Sequence, residues 1–412
     1  MTSDSDGVDD LFKIKIDKGN KHKRFFEKGL NALLADPRFL LLYVPENDGK
    51  MKVIRPANDA YHQERIKRKI NESKDIPSFY YTLSHLWGME LSSEDSQYYW
   101  DEIKDYVDDE EGCPMEPVSV RPEKRVSLLL LLKDHPGSYW WIDTLCARTD
   151  TSLDITGDIY SCCLECIVLL DCGPSLIPEL FPLMEEGLFS DEDHQYRFRK
   201  LTHLVSLLSD LKQCQWWNLL RTWQEIVLPF GEVRLMAETV THQTQSSTIT
   251  VDDLLNKFGD VPYLTLNFER RCAGHIGPSR RMFLSELNDW MREISYARKF
   301  SKQRIGIQTS REFYNLIEAL ANCRRACMNP VDYVYGVLGM FQISMPRMSD
   351  PVRVWRLFLS KLDSYMDMYG LRSMATFDYV LYMTISDGAH QLDLEKAENT
   401  ADVYRHLLNL RN

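Results

Sequence analysis

RPEKRVSLLLLLKDHPGSYWWID, residues Arg121 to Asp143, changes periodicity partway along. Pro122 suits a first helical turn, the charged residues after it suit an exposed start, and the leucines Leu128 to Leu132 suit a buried end. His135-Pro136-Gly137 then stops the helix, and Tyr139 to Ile142 reads as an apolar strand running into Asp143. The same alternation continues on both sides. Upstream, Phe79 to Leu83 is an aromatic and β-branched strand ended at Ser84, with a turn at Trp87-Gly88. Downstream, Gly157 to Cys163 makes a short helix and Cys166 to Leu170 another apolar strand. Strands apolar on both faces and separated by helices predict a parallel α/β sheet with helices on both sides.

Farther out, residues 1–10 read as a disordered tail and 11–74 as an accessory segment, with a helix at Phe25 to Pro37 and an extended run at Phe39 to Val44. Ser93 to Glu111 reads as a surface helix and loop. Residues 75–235 hold the α/β domain, helical in pattern from Glu179 through Trp223. Thr241 to Thr250 is polar and threonine-rich, as a linker or exposed loop would be. Residues 236–345 continue as helices, and 346–412 form a C-terminal helical segment. Phe313, Leu316, Ile317, Leu320 and Cys323 fall on one helix face, as do Val352, Trp355, Leu359 and Leu362.

The chain has 412 residues, 44% of them hydrophobic and 11% aromatic, ample for a substantial core. A formal net charge of -12 disfavours a main role in neutralising nucleic-acid phosphates, so no nucleic-acid partner is expected. The acidic start MTSDSDGVDD is unlike a signal peptide, and no apolar run is long enough to span a bilayer. A soluble cytoplasmic protein with no membrane span is the expectation. Ten cysteines in a chain of this length imply free thiols in a reducing compartment. Cys163 and Cys166 have zinc-type spacing without a second pair, and Cys323 and Cys327 have no nearby histidine, so no metal is expected. Glycine-rich nucleotide loops, zinc-protease and serine-hydrolase signatures do not occur.

Ligands of parallel α/β sheets bind outside the carboxyl ends of the strands. Two strands carry polar groups there: Ser84, His85, Trp87 and Gly88 follow the first, and Asp143 and Cys146 the second. Ser84 and Asp143 are equally suited to capping turns and helices. Cys146 with His85 and Asp143 supplies the residue types of a cysteine nucleophile, its base and its orienter, although a buried thiol is the simpler role. In RTWQEIVLP, Arg221 to Pro229, a helix over Gln215 to Val227 would bury Trp216, Leu219, Leu220, Trp223 and Val227. Glu225 would then lie roughly 200° from Trp223, on a solvated face with Arg221 as its i,i+4 partner. Against that stands Pro229, which ends the helix within a turn of Glu225 and leaves the carboxylate at an element end.

YYTLSHLWG (Tyr80 to Gly88), WWIDTLCARTD with GDIYSCCLECIVLL, and WWNLLRTWQEIVLP resemble, in order and spacing, the three signature blocks of the fungal heterokaryon-incompatibility domain family. NPVDYVYGVLGMF, Asn329 to Phe341, resembles the segment that follows them, so the likeness spans most of residues 75–345. Ser84, Trp87, Gly88, Asp143, Cys146, Gln224 and Glu225 match the family pattern. Ala147-Arg148-Thr149 replaces Ile-Asn-Gln, Thr156 replaces a methionine, and Arg221, Trp223, Gln224 and Glu225 fit only across a gap of two residues.

The resemblance implies an intracellular effector of programmed cell death in non-self recognition. It also implies a flavodoxin-like sheet similar to Toll/interleukin-receptor domains, whose enzymatic members cleave NAD through a glutamate, often in a Trp-x-x-x-Glu setting. Trp223-Gln224-Glu225 is two residues shorter. On this reading Glu225 is the catalytic carboxylate and NAD a substrate, with no bound cofactor. Trp87 or Trp223 would stack on the substrate, and Ser84 and Asp143 would orient it, with His85, Gly88 and Cys146 beside them. Self-association into a homo-oligomer and a separate protein sensor are further expectations. The alternative is a non-catalytic signalling or scaffold domain.

Overall fold

The computed structural model describes residues 13–16, 22–73, 75–88, 98–148, 151, 153–185, 194–239, 248–273, 276–302, 309–375 and 380–411. The tail expected over 1–10 lies outside them, as do 93–97 of the expected Ser93 to Glu111 element and 241–247 of the expected linker. Thirteen strands follow in chain order among the described residues: β1 Leu41–Tyr43, β2 Met51–Ile54, β3 Tyr80–His85, β4 Tyr99–Trp100, β5 Val107–Asp108, β6 Val118–Ser119, β7 Tyr139–Ile142, β8 Glu165–Leu170, β9 Glu232–Ala237, β10 Ile249–Thr250, β11 Ser373–Ala375, β12 Val380–Ile385 and β13 Leu408–Arg411.

Eight of them form one sheet in the order β10-β9-β8-β3-β7-β1-β2-β5. β7 pairs in parallel with β3, from Tyr80 opposite Tyr139 to Leu83 opposite Ile142. Leu164 N donates to Tyr80 O at 2.7 Å where β8 and β3 both start, and Glu238 N donates to Leu170 O at 2.8 Å where β9 and β8 both end. Neighbours that start or end together run parallel, so β7, β3, β8 and β9 form a parallel core. β1 is antiparallel to both β7 and β2, β2 is parallel to β5, and β10 is antiparallel to β9. Six of the eight strands therefore point one way, which is the mostly parallel α/β sheet the sequence predicts. Numbered by their own order in the chain, the four parallel core strands stand 2-1-3-4, the flavodoxin-like arrangement.

By its contacts the chain divides into two compact units. The first comprises residues 1–83, 87–166 and 229–231. Its helix Pro122–Lys133 starts on Pro122 as expected, and the HPG stop works through Gly137, whose φ of 70° few other residues adopt readily. Gly137 N donates to Val44 O at 2.9 Å, which leads the chain into β7. All four residues of β7 are buried, with Trp140 stacked on Tyr81 at 4.8 Å. Between Tyr99 and Asp108 the expected surface helix is instead two short strands around a 3-10 turn at Asp101–Asp105. Trp100, Ile103 and Val107 are buried, and although their spacing also suits one helix face, the chain there runs as strand, 3-10 turn and strand.

The second unit comprises residues 84–86, 167–228 and 232–412. Long helices dominate it, including Pro278–Lys302, Ser310–Asn322, Asp332–Phe341 and Pro351–Met368. Phe313, Leu316, Ile317 and Leu320 are buried on one of them and Trp355, Leu359 and Leu362 on another, whereas Val352, expected on that second face, is 48% exposed in the first turn. A three-stranded antiparallel sheet, β11-β12-β13, adds to what sequence reading takes as a mostly helical end. No helix among the described residues is long and apolar enough to cross a membrane.

Gly231 opens β9 against the start of β8, where an added Cβ would stand 2.1 Å from Leu164 O. Backbone on the receiving side has no rotamer with which to give way. Gly231→Ala should destabilise the protein by about 1–3 kcal/mol, read as a lower urea midpoint with unchanged slope.

Candidate functional site

In the order β7-β3-β8-β9 the chain reverses its direction of travel between β3 and β8, and ligands of open α/β sheets sit at the carboxyl ends of such strands. β3 ends there in Ser84 and His85, which are 1% and 3% exposed. β8 ends in Leu170, followed by Asp171.

Asp171 organises the return of the chain in the second unit. Its two carboxylate oxygens accept from Gln215 N at 2.8 Å and Trp216 N at 3.1 Å. The expected helix over Gln215 to Val227 is therefore broken: Gln215–Asn218 is a 3-10 turn, Leu219 is extended, and only Thr222–Val227 is α-helical. The break has a second cause. Ala326 N donates to Asn218 O and Leu220 N to Ala326 O, so backbone groups that a continuous helix would use are spent on a bridge to residue 326.

Every residue of the Thr222–Val227 helix is buried. Glu225 is 5% exposed, which overturns the solvated face paired with Arg221. Ser84 Oγ donates to Glu225 Oε2 and accepts from Trp216 Nε1 at 2.8 Å, so indole, hydroxyl and carboxylate form one chain of hydrogen bonds. Later parts of the chain hold the helix in place. Arg298 Nη1 donates to Ile226 O at 2.9 Å while its other guanidinium nitrogens grip Asp252 at 2.7 and 2.8 Å. Gln224 Nε2 donates to Tyr335 O at 2.8 Å, and Arg325 Nη1 to Thr222 Oγ1 at 2.7 Å. Arg325 also lies 4.8 Å from the Trp223 ring and 5.7 Å from that of Trp217. Trp223, expected to stack on a substrate, is fully buried with this guanidinium over its ring.

The remaining candidates, His85 apart, lie in the first unit. Trp87, 37% exposed, donates from Nε1 to Asp143 Oδ2 at 2.6 Å. Asp143 Oδ1 accepts from Thr144 N at 2.8 Å as the short helix Asp143–Cys146 begins. Gly88 N donates to Ser119 Oγ at 3.1 Å. Cys146 is 1% exposed, and burial pushes its thiol up to about 12. His85, in the second unit, has its Nδ1 against Leu86 O at 2.8 Å, an arrangement that makes that nitrogen the donor. A thiol that rarely ionises is a poor nucleophile, so the Cys146 reading loses its chemistry.

Two features were not found from the sequence. Glu293, 10% exposed at its side chain, stands 3.8 Å from Arg325, and burial pushes its carboxyl up to about 7 against the pull of that guanidinium. Beyond β8, an open cleft of about 380 Å³ is lined by Asp171, Cys172, Ser175, Glu179, Asp210 and Cys214, among others. The signal for the first was the adjacent pair Arg324-Arg325 in an otherwise apolar stretch. The nine cysteines whose side chains are described are free thiols, and no described group of His, Cys, Asp and Glu is arranged to hold a metal. No protein-family model matches the chain, and neither a curated protein nor a solved structure is significantly similar to it.

Ser84→Ala removes both the acceptor of the Trp216 N–H and the donor to Glu225. A loss of about 1–3 kcal/mol is expected in urea unfolding, larger than for an exposed serine such as Ser175. Glu293 gives a pH signature. Its folded value of about 7 stands above the ordinary 4.5, so its contribution to stability is fully present below 4.5 and lost as pH rises through 7. Glu293→Gln should flatten the stability curve across that window, and a curve of unchanged slope would remove Glu293 as its source.

Proposed function

We propose that this protein is an effector of the heterokaryon-incompatibility type, with a Toll/interleukin-receptor-like α/β domain that cleaves the nicotinamide-ribose bond of NAD. The observation that carries the reading is a carboxylate, Glu225, withdrawn from water at the carboxyl end of a switch-point strand and oriented by the Ser84 hydroxyl. Breaking the bond with water yields nicotinamide and ADP-ribose. Positive charge develops on the ribose as the bond stretches, and a fixed carboxylate in a low-dielectric setting stabilises it. Nicotinamide departs as a neutral base, so no strong general acid is needed. Ser84 would hold the carboxylate in one orientation.

At 5% exposure Glu225 is covered in this conformation, so turnover requires the cover to part. Self-association is the step we assign to that opening, with the trigger supplied by a separate sensor protein. The cytoplasm, where NAD is present, is the compartment the reading requires.

The same burial favours a second reading. A buried carboxylate bonded by Ser84, two residues on from a tryptophan already covered by Arg325, also suits a non-catalytic signalling or scaffold domain in which Glu225 serves only the fold.

The test is nicotinamide release from NAD at high protein concentration, with self-association followed in parallel. Glu225→Gln retains an oxygen for Ser84 while removing the charge. Wild-type release that falls at least about a hundredfold in this variant, with an unchanged circular dichroism spectrum, is the expected result. No release from folded, associated protein favours the scaffold. Release that survives the substitution removes Glu225 from the chemistry.

A further inference from the structure

We propose that Cys172 and Cys214 are a redox modification site: a dithiol that peroxide converts to a reversible disulfide, tying the end of β8 to the turn that carries Trp216. This proposal does not depend on the NAD reading. Its geometry begins with Asp171. One carboxylate accepts from the backbone of Gln215 and Trp216, so the chain just after β8 and the chain at residues 214–216 are pinned together within a side-chain length. Cys172 and Cys214 are the next residues along on each side, and both line the same open cleft. Cys172 is half-buried and Cys214 is 5% exposed, with its thiol donating to Asp210 O at 3.7 Å. A hydrogen bond with Cys172, helped by burial, is the largest cause pushing the Cys214 thiol well above its ordinary value.

That asymmetry orders the chemistry. Cys172, reachable from the cleft, meets the oxidant first: its thiolate attacks a peroxide oxygen, the O–O bond breaks, and a sulfenic acid and water form. Cys214 then attacks the Cys172 sulfur, loses its proton and displaces a second water as the S–S bond closes. Two thiols and one hydrogen peroxide give one disulfide and two waters, with two electrons passing to the peroxide. An added thiol reductant reverses the step by exchange. Cys162, Cys163, Cys166 and Cys323 are wholly buried, which screens them from the same oxidant.

The consequence reaches beyond the cleft. Trp216 donates to Ser84, so a cross-link at residue 214 restrains the turn whose indole holds the Ser84 hydroxyl. The loop closed by the bond would run from 172 to 214 and contain the helix His194–Gln213.

The experiment uses the full chain. Protein is exposed to hydrogen peroxide, its remaining thiols are alkylated under denaturing conditions, and it is digested without reductant for mass spectrometry. The expected product is a peptide pair joined through Cys172 and Cys214, with two fewer alkylated thiols, both regained after dithiothreitol. In C172A the pair disappears and Cys214 stays alkylatable; C214A provides the same control should C172A fail to fold. Amide hydrogen exchange at Gln215 and Trp216 should slow by about tenfold in the oxidised protein. Irreversible oxidation of Cys172 with Cys214 still reduced, or a link between other cysteines, would overturn the site. A correct link with unchanged exchange at both amides would overturn the tie to Trp216.

Discussion

A serine hydroxyl has one proton to give, and at Ser84 that proton goes to Glu225 while the oxygen receives the Trp216 N–H. A carboxylate buried without a donor would cost several kcal/mol, enough to cancel much of a domain's net stability. Position 84 is the last but one of β3, so the register of the parallel core delivers the hydroxyl. The remaining requirement is that the Thr222–Val227 helix arrive at the right depth, and Arg298, Arg325 and the Gln224–Tyr335 bond serve that end.

Two buried arginines do this work. Arg298 and Arg325 are 2% and 3% exposed, and each uses its planar fork on more than one partner. Arg298 satisfies the Ile226 carbonyl at the open end of the helix and is itself neutralised by Asp252, whose carboxyl the pair helps hold down at about 2. Arg325 meets Thr222 and the faces of two tryptophans, with Glu293 nearby. Glu293, the deeper of the two, is pushed up by burial more than Arg325 at 3.8 Å draws it down, whereas at Asp252 two cations, Arg298 and Lys302, each at 2.7 Å, outweigh a smaller burial. Depth, partner number and partner distance together separate the two carboxylates.

How much of this was legible depended on the range of the forces involved. β3, β7 and β8 are written in local runs, YYTLSH, YWWI and ECIVLL, because a strand buried on both faces needs apolar residues at every position. The helix stop at His135 to Gly137 was legible for the same local reason. β12, VLYMTI, carried a strand signal that the surrounding helical periodicity obscured, and β10 is only two residues long. Glu225 was visible as a candidate but not as a buried group. Its surroundings come from partners of the helix 72, 103 and 111 positions away, and a periodicity argument over Gln215 to Val227 contains none of them. The Asp171 clasp was hidden similarly, since an aspartate after a strand looks the same whether it caps a turn 44 residues later or faces water.

The six-residue helix that carries Glu225 has a consequence for synthesis. Helices of that length do not persist alone in water, because nucleation costs more than so few hydrogen bonds return. The groups that hold this one, Arg298, Arg325 and Tyr335, leave the ribosome well after it does. During translation the sheet strands through β9 are complete while residues 222–227 still lack their clamps, so the carboxylate reaches its final place only when the C-terminal helices have folded. A chain interrupted before residue 298 would contain the whole parallel core and the sequence through Pro229, yet lack Arg298, Arg325 and Tyr335, the groups that hold the Glu225 helix. Fixing of the Glu225 helix thereby waits on residues well beyond the parallel core.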